Sequence, residues 1–413
     1  MMEPVKFGVV GVGGYAKSYH NSLAVLRNEG SAQLVALAEN NQSAYPLEMK
    51  ELRERGVRIY DDYFKMLHAE KGNLDFMALP VGIHLHAPMS IEAMNAGLNV
   101  ICEKPVAATV QEVDAMIAVK KRTGAIVIVG YQEIFSPSIR ALKERIMDGR
   151  LGAVKIAKTM GRWSRPDSYY QRNNWAGKLR LGEHWVLDGI AMNAMAHHVN
   201  NMLFLASPRA ISTALPVEMT AELYRAHPIE SYDSVTFRAK TDSGSTVFFA
   251  ATHAPESECG PDLQLECVNG TATRSFVNGE SVIKYKNGTS EQLDNHQIDD
   301  RTEVFRNAVA CVLENHSPLS TLEMARAHTI CMNGMHESCP EIVTIPPEEI
   351  NISDLFDKQG KPTGDRSTTV RHIDRLLDRA FDQIKLLSEL GVSWAKKSRK
   401  VPLEGYSKFP GGR

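Results

Sequence analysis

Short apolar runs and helix-spaced segments alternate along the first third of the chain. Residues 5–10, 33–38, 57–60, 74–79, 99–102 and 125–129 read as strands. Between them, residues 42–55, 61–69, 87–95 and 109–121 carry apolar positions at helical spacing. An acid caps the start of 61–69, and Gly97 stops 87–95. Strand and helix alternating at this interval predict right-handed βαβ units and a doubly wound parallel sheet, an α/β fold.

The rhythm then changes. Residues 136–149 read as a linking helix, with Pro137 in its first turn and Gly149 at its end. Strand-like runs follow at 153–161, 233–240, 246–252, 263–268, 271–276 and 281–286, and Asn269-Gly270 is a hairpin signal. Strands without intervening helices predict an α+β domain with an open-faced, mainly antiparallel sheet, one face free for another subunit. Helices are expected at 188–205, 303–314 and 322–338. Beyond them, Ile345-Pro346-Pro347 and 360–364 read as loop. Val370, Ile373, Leu376, Leu377, Ala380, Phe381, Ile384, Leu387 and Leu390 are spaced as one long amphipathic helix ended by Gly391. The expected domains are 1–132, 133–340 and a carboxyl-terminal extension, 341–413.

Three stretches carry candidate chemistry. The first follows the opening strand: Gly11-Val12-Gly13-Gly14-Tyr15-Ala16 fits G-x-G-x-x-G/A between strand and helix. Gly11 would allow the tight turn, Gly13 the approach of a pyrophosphate, and Ala16 close packing of helix on strand; Gly14 and Tyr15 would offer N–H groups to the anion. Glu39 closes the second strand, where a carboxylate accepts bonds from ribose hydroxyls; a solvated loop acid is the plainer alternative. Asn40 and Asn41 follow it with no arginine for a 2′-phosphate, which favours NAD over NADP.

In the second stretch, Val100-Ile101-Cys102 stops at Glu103-Lys104-Pro105. A charged pair is out of place in a core, but ligands sit at that end of an open α/β sheet. A lysine held extended by the following proline and partly desolvated can do proton chemistry. A surface loop with a chance ion pair would look the same over six residues.

The third stretch is the helix expected at 188–205. Met192, Met195, Ala196, Val199 and Leu203 form an apolar face, and Asn193, His197 and Asn200 fall on an adjacent stripe that bears amides and an imidazole instead of charges. Polar groups on an uncharged helix need partners, so the stripe suggests a site, with a satisfied core histidine as the alternative. Before it, Arg172 and Trp175 lie in an aromatic and amide-rich run suited to a polyhydroxylated ligand, or to an ordinary loop around a buried Trp.

The order of glycine loop, proline-ended strand at Pro80, His86-Ala87-Pro88, Ala96-Gly97, Glu103-Lys104-Pro105 and Gly130-Tyr131 resembles the Gfo/Idh/MocA oxidoreductases, closely so over the first domain. The resemblance implies a Rossmann domain followed by an open-faced sheet, a homo-oligomer (dimer or tetramer), and NAD(P)-dependent chemistry on sugars or polyols. It places the cofactor on Gly11, Gly13, Gly14, Tyr15, Ala16, Glu39, Pro80, His86, Glu103, Lys104 and Gln132. Lys104 and His197 fall on the catalytic pair, with Asn193 and His198 on the substrate side beside Arg172 and Trp175, which their own run singles out as substrate contacts. Asn193 and Asn200 stand where the family has aspartates, with Asp188 and His198 as candidates to compensate. Pro80 and His86 lie two residues further apart than the family pattern.

Composition narrows the remaining classes. The chain has 413 residues, 43% hydrophobic and 23% charged, too long for one core. A net charge of −2 argues against a nucleic-acid surface. The charge-free run from Gly189 to Pro208 holds three Asn and two His, so it does not read as a membrane span. Met1 to Pro4 leads straight into the first strand without a signal peptide, and six scattered cysteines without CxxC suit a reduced, cytoplasmic setting. His84 and His86 lack further ligands nearby, so no metal is expected. The expectation is a carbohydrate-oxidising NAD enzyme in which a sugar hydroxyl gives its proton to His197 while Lys104 polarises the oxygen. The alternatives are an NAD-dependent glycoside hydrolase and a non-catalytic sugar-sensing regulator.

Overall fold

The computed structural model describes residues 3–293 and 298–411; Met1 and Met2, read above as part of the leader-free start, lie outside them. The chain divides into two compact units. The first comprises residues 1–107, 111–136 and 298–326, the second the remainder.

The first unit is built on a six-stranded sheet. Its strands are β1 (Val5–Val10), β2 (Ala32–Ala38), β3 (Arg58–Tyr60), β4 (Phe76–Leu79), β5 (Asn99–Cys102) and β6 (Val127–Val129), in the order β3-β2-β1-β4-β5-β6 and parallel throughout. Their side chains are apolar on both faces because helices cover both, which is why the runs read as continuous instead of alternating. The order reverses between β1 and β4, and a crevice at the carboxyl ends of such neighbours is the usual ligand position. One helix, Asp300–Leu313, joins this unit from far downstream. It lies on the helix Ala16–Asn28, with Arg306 paired to Glu29 at 2.7 Å and Phe305 edge-on to Tyr19 at 4.9 Å.

Most helix expectations hold with small shifts. The segment 42–55 is a 3-10 turn, Gln42–Ala44, followed by the helix Pro46–Glu54, because Pro46 starts a new first turn. The helix expected at 87–95 begins earlier, at Ile83, so His84 and His86 sit in its first turns and Pro88 is tolerated six residues in.

The second unit holds a ten-stranded sheet. Its order is Ser290–Leu293, Ser281–Tyr285, Gly270–Arg274, Cys259–Cys267, Val154–Arg162, Thr246–Thr252, Ser234–Thr241, Pro216–Arg225 and Val343–Thr344, with Val401–Pro402 paired to Pro216–Arg225. It is mainly antiparallel; Val154–Arg162 runs parallel to Thr246–Thr252. One face carries the helix Ala196–Ala206.

The opposite face is not bare. Tyr224, Phe248 and Ala250 pack there against Ile373, Leu377, Ala380, Phe381, Leu386 and Leu387. The long helix expected at 370–390 is therefore corrected: the helix is Ile373–Gln383, and Ile384 breaks it at φ 54. The apolar spacing continues past the break because Leu386 and Leu387 bury against the same sheet, not because the helix goes on. Residues 360–364, read as loop, lie mostly in an exposed hairpin, Ile350–Phe356 with Pro362–Val370, whose polar faces carry no alternation to detect. On the outer strands, Gln264, Glu266, Thr271, Thr273 and Lys284 are polar and at least partly exposed. The face expected to be free for a second subunit is thus covered in its centre by the chain itself. Among the described residues no helix is long and apolar enough to cross a membrane.

Candidate functional site

The nucleotide end of the first unit is built at the carboxyl ends of β1 and β2. Gly11 has φ +92, a conformation that side chains rarely adopt, and its N–H donates to Ala38 O at 2.8 Å, tying the turn to β2. A Cβ at Gly13 would run into Tyr45 Oη, so the glycine admits a tyrosine that no sequence signal marked. Glu39 is buried. Its Oε2 accepts from Val12 N at 3.1 Å and its Oε1 from Asn41 N at 2.8 Å, so the carboxylate braces the glycine loop and keeps lone pairs for further donors. Tyr15, one residue ahead of the helix Ala16–Asn28, is 39% exposed, and the Arg301 guanidinium lies 5.9 Å from its ring centroid. Burial of its hydroxyl, with Glu103 nearby, pushes Tyr15 up to about 12.

At the end of β5, Glu103 is buried and doubly held. Tyr19 Oη donates to its Oε1 at 2.9 Å and Lys104 N donates to its Oε2 at 2.9 Å. A Cβ on Gly130 would lie 2.6 Å from Oε1, so Gly130 is the seat of this carboxylate. Burial raises the Glu103 pKa while Lys104 and Tyr19 oppose the rise. The Lys104–Pro105 peptide is cis. His86 Nδ1 is 2.7 Å from Pro105 O and its Nε2 3.0 Å from Val81 O; as a neutral ring it donates to one of these carbonyls and packs its other nitrogen against the second. Burial, the main cause, lowers its pKa to about 4, and the ring is neutral near pH 7. Pro80 ends β4 directly. Gln132 opens a 3-10 turn, Gln132–Phe135, and its Oε1 is buried without a hydrogen-bond partner among the described residues. The positive-φ turn, the acid at the end of β2 and this orphaned acceptor fit a bound dinucleotide.

The substrate-side candidates lie in the second unit. The continuous helix expected at 188–205 is corrected: Ile190–Ala194 is a wide π turn, closed by Met195 N to Ile190 O at 2.8 Å, and the α-helix starts at Ala196. Met195, at φ −112, interrupts the stripe, so Asn193 is not in simple helical phase with His197. Instead Asn193 Nδ2 donates to Asp188 Oδ1 at 2.9 Å, while Asp188 Oδ2 accepts from Gly177 N at 2.7 Å. Arg172 NH2 lies 3.9 Å from the same Oδ2, and its guanidinium stacks 3.7 Å over Tyr169 and 5.3 Å from Trp175. Asn193 and Arg172 therefore meet at Asp188, with Trp175 beside the Arg172 guanidinium. His197, the second residue of its helix, is buried. His198 points into aromatic packing, with Trp163 at 6.0 Å and Phe276 at 5.1 Å. Asn200 is fully buried, with both amide atoms unpartnered among the described residues.

Sequence reasoning missed Tyr19, Tyr45 and Arg301. Tyr19 had one available signal: it stands four residues after Tyr15 and so shares its helix face. Tyr45 and Arg301 carried none. Among the described residues no group of three or more His, Cys, Asp or Glu is placed to hold a metal.

Residues 5–131 match the model of an oxidoreductase family with an NAD-binding Rossmann fold. Over 157 residues the chain is 27% identical to the D-glucoside 3-dehydrogenase of Escherichia coli (strain K12), covering 37% of this chain and 42% of that protein. Over 269 residues it is 25% identical to the inositol 2-dehydrogenase of Rhizobium meliloti (strain 1021), covering 63% of this chain and 72% of the relative. The chain spans about half the length of several curated relatives it matches. Among solved structures, the WlbA dehydrogenase of Bordetella pertussis, in complex with NADH and UDP-GlcNAcA, superposes with a TM-score of 0.67 at 21% identity, over 82% of this chain and 97% of that one. At that identity the likeness is one of fold.

Proposed function

We propose, from the premise that residues 5–131 belong to the NAD-binding Rossmann module of the Gfo/Idh/MocA oxidoreductases, that the whole chain is an NAD-dependent dehydrogenase acting on a hydroxyl of a sugar, polyol or sugar derivative. The observation that carries this reading is the end of β5, where Lys104 follows a buried carboxylate fixed by Tyr19 and by Lys104's own backbone N–H. That anchoring fixes the start of the lysine side chain at the end of a parallel strand, the position where such sheets hold ligands. Glu39 and the Gly11 turn would hold the adenosine half of NAD. The carboxylate of Glu39, already braced by Val12 and Asn41 N–H groups, would repel a 2′-phosphate, so NAD is preferred to NADP. Bound NAD supplies the hydride-accepting ring.

The chain's own residues handle the proton. Lys104 orients and polarises the substrate oxygen, and His197 accepts the hydroxyl proton as the carbon gives up its hydride. Trp175 and Arg172 offer faces and donors that suit a polyhydroxylated ring.

The test is NADH absorbance with NAD and a panel of monosaccharides, polyols and nucleotide sugars, alongside calorimetric titration of NAD. Lys104→Ala is expected to keep NAD affinity and lose about 10²–10⁴ of turnover. Near-normal turnover in that variant, or glycoside cleavage without net NADH, would overturn the reading.

A further inference from the structure

The helix Asp300–Leu313 reaches the first unit from far downstream, and its first turn brings a cation to the glycine loop. Arg301 is exposed there, with its guanidinium 5.9 Å from the Tyr15 ring centroid. On the same helix Arg306 is neutralised by Glu29 at 2.7 Å and by Glu303 at 3.0 Å. Arg301, in contrast, forms no ion pair among the described residues. The two acids whose charges reach it are already engaged. Asp299 accepts from Arg301 N at 3.3 Å and from the Thr302 hydroxyl, and Glu103 accepts from Tyr19 and from Lys104 N.

The loop beside it lacks acceptors. Val12 N donates to Glu39, but the N–H groups of Gly13, Gly14 and Tyr15 donate to no acceptor among the described residues. They precede the helix Ala16–Asn28, whose amino end carries roughly half a positive charge. A Cβ on Gly14 would meet nothing within 4 Å, so the loop is open at that residue. Unsatisfied donors, open space and an unpaired guanidinium next to them are complementary to a phosphate-type anion.

We infer that Arg301 is a cofactor-binding residue that supplies the counter-charge for the pyrophosphate of a dinucleotide held on the loop from Gly11 to Tyr15. The inference rests on the NAD reading and deepens it. The helix end offsets only part of one charge, whereas a pyrophosphate carries a negative charge on each phosphate. A guanidinium adds a full positive charge, and its planar fork can meet two phosphate oxygens together. The Tyr15 ring, at the outer range of a cation–π contact, gives the arginine side chain a surface to rest on. The nucleotide site is thereby completed by a residue some 300 positions after the glycine loop begins.

Calorimetric titration of the full chain with NAD, ADP and adenosine separates phosphate contacts from the rest of the nucleotide. Arg301→Ala is expected to weaken NAD and ADP by about 10- to 100-fold, as for a charge-assisted contact, and to leave adenosine unchanged. Arg301→Lys keeps the charge without the fork and should fall between. Added salt should weaken NAD binding to the wild type, and less steeply in Arg301→Ala. Lys17→Ala, which removes an exposed lysine from the first turn of the helix Ala16–Asn28, gives the comparison, and the larger loss is expected in Arg301→Ala. Because Arg301 is exposed, melting of Arg301→Ala without ligand should match the wild type.

Three outcomes would overturn the inference while leaving the NAD reading in place. One is unchanged NAD affinity in Arg301→Ala. Another is a larger loss in Lys17→Ala, which would give the phosphates to that lysine. The third is an equal loss for adenosine and ADP, which would tie Arg301 to the nucleoside or to the fold. A wild type that binds neither NAD nor ADP would count against the NAD reading itself, and the inference would fall with it.

Discussion

The two sheets obtain their cover from different parts of the chain. In the first unit most of the cover is local: each of the first five strands is followed by a helix, and one late helix, Asp300–Leu313, lies on the helix Ala16–Asn28. In the second unit one face of the central strands is covered by a segment far downstream. Lys158, on the strand Val154–Arg162, donates from Nζ to Phe381 O at 3.2 Å and stands 4.4 Å over the Phe381 ring, across 223 residues. Closing a long loop costs only slightly more than closing a short one, so a remote cover is affordable. It nevertheless depends on a few anchors, because no neighbouring turn of chain holds it in place. The first unit spreads its stability over many local contacts, and the second concentrates part of it in the tail.

The largest expected effect tests that concentration. Phe381→Ala would remove a buried ring from the sheet face and take a cation–π partner from the buried Lys158 ammonium. A loss of about 3–5 kcal/mol is expected by urea unfolding, as for large core truncations. The variant should also bind more hydrophobic dye and self-associate at higher concentration, because Phe248 and Ala250 would lose their cover. NAD titration should be unchanged if the first unit holds its own fold. A cost below about 1 kcal/mol would mean that the tail is a loose lid rather than part of the core.

Acid sensitivity separates the units next. His86 in the first unit and His253 in the second are both buried, and burial lowers their pKa values to about 4 and about 3. The unfolded chain takes up these protons near 6.5, before the folded protein does. Each group therefore contributes stability that is fully present above 6.5. That stability is lost as pH falls, down to about 4 for His86 and about 3 for His253. For His86 the loss is roughly 3 kcal/mol at most. Unfolding followed between pH 7 and 4 should show a steep acid slope, shallower in His86→Gln and in His253→Gln. Equal slopes in wild type and both variants would contradict the assignment.

The contrast between units also explains what was legible in the sequence. The parallel sheet, the glycine turn at Gly11 and the strand end at Glu103-Lys104 depend on contacts between near neighbours in the chain, and their patterns survive in one dimension. Lys104 N donating to the Glu103 side chain is an extreme case, since the partners are adjacent. The helix end at Ile384 was not legible, because Leu386 and Leu387 return to the same sheet face and mimic continued helical spacing. Nor was the π turn at 190–194: one extra residue in a turn leaves no compositional trace, yet it decides that Asn193 meets Asp188. Arg301 and Tyr45 reach the glycine loop by tertiary packing alone.

The smallest expected effect sharpens the local side of the comparison. Tyr19→Phe keeps the ring edge-on to Phe305 at 4.9 Å and removes only the hydroxyl that donates to Glu103. Because Glu103 is buried, its oxygen would lose a donor that water cannot easily replace, at a cost of about 1–3 kcal/mol. The sign with pH follows from the carboxyl group. Burial already raises the Glu103 pKa, and the Tyr19 hydrogen bond opposes that rise by favouring the ionised form. Without it the pKa rises further, so the deficit of the variant should be largest at neutral and alkaline pH. It should shrink as acid protonates Glu103 in both proteins. Melting temperatures of wild type and Tyr19→Phe across that range would show a gap that closes toward acid. A gap of constant size would mean that the hydroxyl contributes only packing, and that Glu103 is held by Lys104 N and the space left by Gly130 without help from the helix Ala16–Asn28.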